Sequence, residues 1–402
     1  MIKVYSKALN KTLEVKRLIG HIKGSEEGPT LIFFGGIHGN EPSGVFALHK
    51  VLTELQEQNI SILGSIYAIS GNLWALEKGK RYDKQDLNRL WTAKSIKSLT
   101  EVSPKDNRDI GQQKDIYNTI LKILEIENGP FYFMDLHSTS SKTVPFLTVN
   151  DSLLNRKFTM QYPLPMILGI EEYLEGPLLS YINELGYVSF GFEAGQHDDI
   201  ASIQNHISFI YLTLVFAGSI AKTDINYEYY HLGLSTNSLD YKHVYEIYAR
   251  HKIHNADTFT MEPGFMNFQK IEKNQVLATS NGKPIISHKH GKIFMPLYQK
   301  QGNDGFFVIK RTSRFFLTLS AILRNINFDR VLPLLPGVRW GSDKKDVLTV
   351  NLKIARFFTR QFFHLLGYRS KQIDKNHLSL KNRETASKTK EYQYTRWIKN
   401  KA

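Results

Sequence analysis

The 402-residue chain contains no cysteine. This absence excludes a disulfide scaffold, a cysteine-ligated zinc finger, an iron–sulfur cluster and a thiol nucleophile. Any metal ion must therefore be held by histidine, aspartate or glutamate. Hydrophobic residues make up 42% and charged residues 22% of the chain, which is ordinary for soluble globular proteins and argues against global disorder. A chain of this length can bury a sizeable core, most simply in two domains.

Long hydrophobic runs are also missing. The most apolar stretch, residues 207–221, is about 15 residues long and is interrupted by Ser208, Thr213 and Ser219, so it predicts a buried helix rather than a membrane span. Residues 1–16 alternate polar and apolar side chains and lack the continuous apolar core of a secretory signal. From these absences we expect a cytoplasmic protein.

Acidic side chains are scarce in only one part of the chain. The formal net charge is +14, and residues 311–402 alone contain 20 Lys and Arg against 6 Asp and Glu, a net of +14. Residues 1–310 are therefore neutral, with 32 residues of each sign. The basic character belongs to the C-terminal region, and because no nucleic-acid-binding motif accompanies it, we expect no nucleic-acid partner.

Strand and helix patterns alternate over the first 220 residues. Short strands are predicted at residues 31–34, 61–70, 131–136 and 187–192, and helices at residues 42–55 and 116–126. This order predicts an α/β domain with a largely parallel sheet at residues 1–223, in which sites lie where strands end. Residues 224–310 contain short β segments between Asn-Gly and Asp-Gly turns and predict a smaller β-rich domain.

Residues 311–402 form a basic C-terminal extension. Apolar spacing predicts helices at residues 315–323 and 347–366, and the polar, Lys-rich sequence after Lys371 predicts a loose end. A basic amphipathic helix can pack on the protein's own body, lie on a membrane surface or bind an acidic partner. The sequence leaves these three arrangements open.

Reactive side chains in the α/β domain cluster mostly at predicted strand ends. His38 and Glu41 follow the strand at residues 31–34, and His137 follows the strand at residues 131–136. Two histidines and a glutamate form a three-ligand zinc set that leaves one coordination position for water. Asp135, or a backbone carbonyl, could orient one imidazole from behind. A lone His-x-x-Glu pair is common by chance, so the argument rests on the segments occurring together.

Two further segments complete this group. Arg81, Asn88 and Arg89 lie in a polar loop, and arginines suit recognition of a carboxylate or a developing oxyanion. Glu193 ends a predicted strand, and a glutamate beside a zinc-bound water is the expected general base of metal-assisted hydrolysis. Each residue alone has a structural explanation, such as a helix cap or a surface ion pair. Among the other histidines, His197 is the closest rival as a residue lining the site.

The four segments together resemble the succinylglutamate desuccinylase/aspartoacylase family of the zinc carboxypeptidase-like fold. The matching motifs are Gly-Ile-His38-Gly-Asn-Glu41, Arg81 with Asp86-Leu-Asn88-Arg89, Met-Asp135-Leu-His137 and Phe-Glu193-Ala-Gly. The resemblance covers roughly residues 28–310. It implies an α/β fold with a mixed sheet flanked by helices, followed by a β-rich domain that caps the active-site cleft.

The resemblance also implies an activity, namely zinc-dependent hydrolysis of the amide bond of a small N-acyl amino acid. One zinc ion per chain would be held by His38, Glu41 and His137. Glu193 would activate the metal-bound water and pass its proton to the leaving amine. Arg81 would polarise the scissile carbonyl, and Asn88 and Arg89 would bind a substrate carboxylate.

Departures from the family pattern point away from diacid substrates. Aspartoacylases bind a second substrate carboxylate with an arginine shortly before the catalytic glutamate, but residues 158–192 contain no Arg or Lys, and Asn183 stands nearest that position. The same stretch contains Glu171, Glu172, Glu175 and Glu184. Unpaired, these carboxylates would repel a second substrate carboxylate. A tyrosine of the aspartate-acting members is replaced by Phe306 or Phe307, so we expect a neutral or cationic side chain on the substrate.

Two other functions remain open. A zinc carboxypeptidase could grip a peptide's C-terminal carboxylate through Asn88 and Arg89, and it would need an open groove rather than a capped cleft. A non-catalytic metal-binding scaffold recruited through its basic extension is the third reading, against which the presence of Glu193 and Arg81 argues. A homo-oligomer is also compatible with the sequence.

Overall fold

The computed structural model describes residues 1–99, 107–236, 238–254, 256–343, 345–355 and 360–399. The helices up to residue 217 are α1 (Ser43–Glu57), α2 (Leu73–Lys78), α3 (Ala93–Ser98), α4 (Arg108–Ile126), α5 (Leu153–Thr159), α6 (Leu178–Glu184) and α7 (Ile200–Ala217). The strands of the same part are β1 (Ile2–Ser6), β2 (Lys11–Val15), β3 (Leu18–Lys23), β4 (Glu26–Gly35), β5 (Leu63–Ser70), β6 (Phe131–Thr139), β7 (Phe146–Val149), β8 (Met166–Leu168) and β9 (Val188–Gln196). The alternation of strands and helices predicted for this part is therefore present.

The central strands of this part are parallel and buried on both faces. β5, β4, β6 and β9 pair side by side in parallel, so their carboxyl ends meet at one edge of the sheet. Alternate residues of β4 face opposite layers. Leu31 and Phe33 pack with helices α1 and α7, whereas Ile32 and Phe34 pack with helices α4 and α6. Strands covered on both faces are continuously apolar, which explains the uninterrupted run that the sequence shows here.

Helix α7 is long and apolar enough to cross a membrane by length and composition alone. Most of the helix is buried inside the protein, where it packs on α1 and β9. The prediction of a buried helix at this position is confirmed, although the helix begins at Ile200 and ends at Ala217 rather than extending to residue 221.

The β-rich part of the chain extends the central sheet. It contains α8 (Tyr227–Ser235), β10 (Val244–Lys252), β11 (Phe259–Met261), β12 (Lys270–Ile271), β13 (Val276–Ser280), β14 (Lys283–Ile286), β15 (Gly291–Phe294) and β16 (Asp304–Arg311). The sheet runs in the order β3-β5-β4-β6-β9-β7-β8-β10-β16-β15-β12, so β8 pairs directly with β10. β11, β13 and β14 form a separate small sheet. One mixed sheet thus joins the α/β part to the β-rich part.

The C-terminal region is folded and contains a sheet of its own. Its elements are α9 (Arg314–Asn325), β17 (Val338–Trp340), β18 (Val347–Asn351), α10 (Arg360–Leu365), β19 (Tyr368–Gln372), β20 (His377–Asn382), α11 (Thr389–Tyr392) and α12 (Arg396–Lys399). The four strands form an antiparallel sheet in the order β17-β18-β20-β19. The helix predicted at residues 315–323 is present as α9.

The helix predicted at residues 347–366, and with it a helical extension, is wrong. Residues 347–351 form strand β18, a helix is present only at 360–365, and residues 356–359 of the predicted helix lie outside the described residues. Leu348 and Val350 are fully buried and alternate with less buried neighbours, which is the period of a strand. The β-branched residues of this segment favour that conformation.

The loose end predicted after Lys371 is also wrong for the described residues. Tyr392 and Trp397 are buried in the core of the α/β part, where the indole Nε1 of Trp397 donates to the Tyr132 hydroxyl at 2.9 Å. The Tyr392 hydroxyl accepts a hydrogen bond of 2.9 Å from the backbone N–H of Val188 on β9. Of the three arrangements considered for the extension, the structure shows packing on the protein's own body.

Candidate metal centre

Three predicted ligands meet at the carboxyl edge of the parallel strands. His38 and Glu41 lie in the loop between β4 and α1, and His137 lies near the end of β6. The loop passes so close to α2 that a side-chain carbon on Gly39 would lie 2.0 Å from the carbonyl carbon of Ala75. Glycine is therefore required between the two ligands for the backbone to take this path.

The ligand atoms converge on one point. Nδ1 of His38 lies 2.9 Å from Oε1 of Glu41, and Nδ1 of His137 lies 3.0 Å from Oε2 of the same carboxylate. One ligand atom from each residue falls within 4.8 Å of the others, and all three side chains are buried. Two imidazole nitrogens and a carboxylate at this spacing suit a zinc ion, with a position left for water.

Each imidazole is held from behind by a further carboxylate. Nε2 of His137 lies 2.7 Å from Oδ2 of Asp135, and Nε2 of His38 lies 3.1 Å from Oδ1 of Asp86. A carboxylate on the far nitrogen fixes the tautomer and ring orientation of a metal-binding histidine. The sequence pointed to Asp135 for this position but assigned no role to Asp86, whose only signal was its place in the Asp-Leu-Asn-Arg segment.

Arg81 is bound to both carboxylates on the His38 side of the centre. Its NH1 donates to Oε1 of Glu41 at 3.3 Å and its NH2 donates to Oδ2 of Asp86 at 3.1 Å. Burial alone would raise the pKa of Asp86, but His38 and Arg81 hold that pKa well below its usual range. Asp86 therefore stays ionised and can orient the His38 ring.

Glu193 lies beside the ligands on the neighbouring strand. It is the register partner of His137 in the parallel pair of β6 and β9, and it is buried. Its Oε2 atom accepts no hydrogen bond from any residue that the structure describes. Burial raises the pKa of Glu193 to about 8, so the side chain can exchange a proton near neutral pH. A buried carboxylate oxygen without a protein partner is available to bind a water or a ligand at the centre.

Asn88 and Arg89 also line the cleft next to the centre. Oδ1 of Asn88 accepts a hydrogen bond of 2.9 Å from the backbone N–H of Leu178, which turns the amide toward the cleft wall. NH2 of Arg89 donates to Oδ2 of Asp304 at 3.1 Å. Asp304 also pairs with Arg250, so its charge is balanced twice. The structure thus brings all seven predicted site residues into one cleft.

Residues 295–304, here called the cover segment, close this cleft from the β-rich side. Within the cover segment, Gln299 accepts a hydrogen bond of 2.9 Å from Asn40 and lies 3.2 Å from Nε2 of His197. Nδ1 of His197 lies 2.8 Å from the Ser138 hydroxyl, so this histidine belongs to the cleft wall. The cleft has a volume of about 140 Å³. The apolar residues of its wall include Ile170, Leu174, Pro177, Leu179, Leu297 and Phe307.

We expected the glutamates of residues 158–192 to be unpaired and to repel a second substrate carboxylate, and this expectation is wrong for three of them. Glu171 lies 2.9 Å from Nε of Arg383, Glu172 is bonded to the same guanidinium, and Glu184 lies 3.4 Å from Nζ of Lys381. None of the three lines the cleft among the described residues. Their partners come from the C-terminal region about 200 positions away, which local sequence patterns cannot reveal.

The two remaining departures are placed as follows. Asn183 accepts a hydrogen bond of 2.7 Å from Asn155 and is absent from the described lining of the cleft, so it does not stand in for an arginine there. Of the two candidate phenylalanines, Phe307 lines the cleft and Phe306 packs in a different cluster. The one of the two positions that lines the cleft is therefore apolar.

The fold and the site together define a mixed α/β protein with a candidate three-ligand metal centre at the ends of its parallel strands. Residues 27–203 match the family model described as succinylglutamate desuccinylase/aspartoacylase catalytic domain. All three candidate ligands and Glu193 fall within this range. This part of the chain is similar to the catalytic domain of the succinylglutamate desuccinylase/aspartoacylase family, and the match covers somewhat less than half of the chain.

Similarity to individual family members is local. A succinylglutamate desuccinylase from Photorhabdus laumondii is 35% identical over 77 residues, which is 19% of this chain and 23% of that protein. A probable aspartoacylase from Nostoc sp. is 33% identical over 115 residues, 27% of this chain and 34% of that protein. The chain thus spans about a quarter to a third of the length of these relatives in the aligned segments.

Solved structures show that the fold is shared over a longer range. Succinylglutamate desuccinylase from Vibrio cholerae superposes with a TM-score of 0.53 at 15% identity, covering 77% of this chain and 90% of that chain. A family member from Rhodobacter sphaeroides gives a TM-score of 0.52 at 16% identity, covering 73% and 88%. At this identity the likeness concerns the fold, and the expected desuccinylase-type architecture is confirmed.

Proposed function

We propose that the protein is a zinc-dependent hydrolase that cleaves the amide bond of a small N-acyl amino acid. The observation that carries the proposal is the convergence of His38, Glu41 and His137, with Glu193 buried beside them. Among the described residues around this point, the carboxylates of Glu41, Asp86 and Asp135 outnumber the cationic Arg81 and His137, and a divalent cation would balance this excess of negative charge. The relatives named as desuccinylases and an aspartoacylase support this reaction class.

A zinc ion held by these three side chains would supply a water of lowered pKa and a Lewis acid for the scissile carbonyl. Glu193 takes the water proton at its free Oε2 and returns it to the leaving nitrogen. Arg81 donates to the oxyanion that develops on the carbonyl, since its guanidinium is fixed by Glu41 and Asp86. Asp86 and Asp135 keep the two imidazole rings in place.

The side chain of the substrate is proposed to be neutral. Arg81 and Arg89 are the Arg or Lys residues among the described lining of the cleft, and both already face carboxylates. Arg89 carries five N–H donors and can bind the α-carboxylate of the substrate while it contacts Asp304. A second substrate carboxylate would find no further cation there. The apolar wall around Phe307 fits an uncharged acyl or side chain instead.

The cover segment favours a small molecule over a peptide. Contacts of Gln299 with Asn40 and His197, and of Asp304 with Arg89, join the two sides of the cleft above the candidate centre. A peptide substrate would require these contacts to open along a groove. A non-catalytic scaffold would not require a buried glutamate with a free oxygen next to the ligands.

The test is a hydrolysis screen with zinc-loaded protein whose metal content has been measured. N-acetyl derivatives of neutral amino acids should be hydrolysed faster than N-acetylaspartate, N-succinylglutamate and N-acetyl-lysine. Faster hydrolysis of N-acetylaspartate would overturn the substrate class. Cleavage of short peptides without cleavage of acyl amino acids would select the carboxypeptidase function, and failure to retain stoichiometric zinc would overturn the metal assignment.

A further inference from the structure

Helix α9 carries its apolar stripe on the outside. Phe315, Leu319, Ile322 and Ile326 recur at intervals of three or four residues, which places them along one side of a helix. Phe315 is 68%, Ile322 52% and Ile326 63% exposed. A helix at the surface of a soluble protein normally turns such a stripe toward the core.

The opposite side of α9 faces the body of the protein, where Leu317 packs against the core beside two polar anchors. The Ser320 hydroxyl donates to the carbonyl oxygen of Leu365 at 2.7 Å. The Arg324 side chain is fully buried, with NH2 donating to Oδ2 of Asp151 at 2.9 Å and NH1 donating to Glu384 at 3.1 Å. Rotating the helix to bury its apolar stripe would break these ion pairs and leave charges buried without partners. The outward orientation is therefore built into the fold.

The exposed apolar surface continues beyond the helix. The turn at residues 328–334 contacts α9 and exposes Phe328, Val331 and, at 82%, Leu334. Together with Phe315, Ile322 and Ile326 these side chains form what we call the α9 patch. Isolated exposed apolar residues are ordinary, but a group of this size on two contacting elements marks an interaction surface.

The exposed charged residues within residues 311–334, the segment that contains the α9 patch, are all positive. Arg311, Arg314 and Arg330 are exposed in the same segment. Its one carboxylate, Asp329, accepts hydrogen bonds from the Tyr368 hydroxyl at 2.8 Å and from Asn382 at 2.9 Å, so it is turned toward the body. Apolar side chains flanked by arginines are the combination that binds an anionic lipid surface.

We propose that the α9 patch docks the protein on anionic membrane surfaces, with its apolar side chains entering the lipid boundary and its arginines facing the headgroups. A second copy of the chain is a poorer occupant, because a twofold interface would bring the arginines of one patch near those of the other. This inference does not depend on the proposed hydrolase activity.

The experiment is co-sedimentation of the full chain with vesicles of equimolar phosphatidylcholine and phosphatidylserine, and with vesicles of phosphatidylcholine alone. We expect binding to the anionic vesicles that weakens with added salt and is much weaker on neutral vesicles. In the variants F315S and I322S, each lost apolar side chain should weaken binding about tenfold. In R314Q, binding should weaken roughly fivefold.

The matched control is L232S on α8, which changes an apolar helical residue that is 56% exposed outside the patch. It should bind like the unchanged protein, and thermal unfolding should show that all variants remain folded. Equal binding by F315S, I322S and the unchanged protein would overturn the proposal, as would absence of binding to anionic vesicles. Light scattering that shows a dimer dispersed by F315S would assign the patch to a second copy instead.

Discussion

Two clusters of buried charge lie in this protein, and their balance differs. In the candidate metal centre, four carboxylates of the described residues outnumber two cationic side chains: Glu41, Asp86, Asp135 and Glu193 against Arg81 and His137. In the second, here called the interface cluster, five carboxylates face five cationic side chains: Asp151, Glu171, Glu172, Glu246 and Glu384 against Arg156, Lys310, Arg324, Arg383 and His364. A surplus of buried negative charge indicates a site for a cation, whereas a charge-balanced cluster indicates a structural contact between two parts of the fold.

The two clusters also differ in where their members come from. The centre is assembled within residues 38–193, from loops and strand ends of one sheet. The interface cluster joins that part to the C-terminal region through Arg324 and Arg383. Some positive charges of the C-terminal region are therefore buried in ion pairs inside the protein. The division of the sequence into a neutral body and a basic extension does not describe the surface of the folded protein.

The largest expected effect is on catalysis. Replacing Glu193 with Gln keeps the shape of the side chain but removes the proton acceptor, so kcat should fall about 10²- to 10⁴-fold. The measurement is hydrolysis of the best N-acyl substrate, with zinc content determined in parallel. Zinc content should stay unchanged, because Glu193 is not one of the proposed ligands. Activity close to that of the unchanged protein would contradict its role as general base.

Substitutions in the interface cluster should change the stability of the protein. Replacing Arg383 with Met leaves Glu171 and Glu172 buried without their guanidinium, which should lower the free energy of unfolding by about 3–5 kcal/mol. Urea unfolding measures this loss. The control is Lys381→Gln, which removes a half-exposed pair with Glu184 and should cost no more than about 1 kcal/mol. Similar losses of unfolding free energy in the two variants would contradict the distinction between a buried charge cluster and a surface ion pair.

The candidate site could be predicted from sequence because its information is local. Each ligand follows a short apolar strand. Parallel pairing alone places the carboxyl ends of such strands at the same edge of the sheet. Asp86 could not be assigned, because its role depends on the direction in which His38 turns its ring. The pairing of Arg89 with Asp304 joins residues 215 positions apart and leaves no pattern in either segment.

The C-terminal region was harder to predict for two physical reasons. Apolar residues at 348, 352, 355 and 358 satisfy a helical spacing, but the strand at Val347–Asn351 is decided by pairing with β17 and β20. The end of the chain is polar on average, and its order rests on a few aromatic anchors such as Tyr392 and Trp397. Helix α9 was predicted, but the outward orientation of its apolar stripe was not. That orientation depends on the ion pairs of Arg324 with Asp151 and Glu384, which are distant in sequence.

An intermediate effect is expected on metal affinity. Replacing Asp86 with Asn removes the carboxylate behind His38, so zinc affinity should fall about 10- to 100-fold. Competition with a chelator of known affinity measures the change. The control is Asp83→Asn in the same loop, where the side chain pairs with the exposed Arg108 at 3.5 Å. Equal zinc affinities for the two variants would show that Asp86 does not support the centre.

The smallest effect is a pH dependence of stability at the interface cluster. Burial would lower the pKa of His364, but its contacts with Glu172 at 3.5 Å and Glu246 at 3.6 Å outweigh it and raise that pKa to about 9. Because the folded-state pKa exceeds the unfolded value of about 6.5, the stabilisation is complete below pH 6.5 and is lost as the pH rises through 9. The nearby Arg383 opposes the charge and limits the gain.

His364→Gln retains a hydrogen-bonding side chain without the titrating charge. The difference in unfolding free energy between the unchanged protein and this variant should therefore shrink by about 1 kcal/mol between pH 6.5 and 9, because solvent screening reduces the roughly 3.4 kcal/mol that the full pKa shift would give. Urea unfolding at several pH values measures it. A difference that is constant across this interval would mean that folding does not raise the pKa of His364, so that the side chain is largely uncharged at neutral pH. At neutral pH the interface cluster would then have five carboxylates against four cations and would lose the balance that sets it apart from the metal centre.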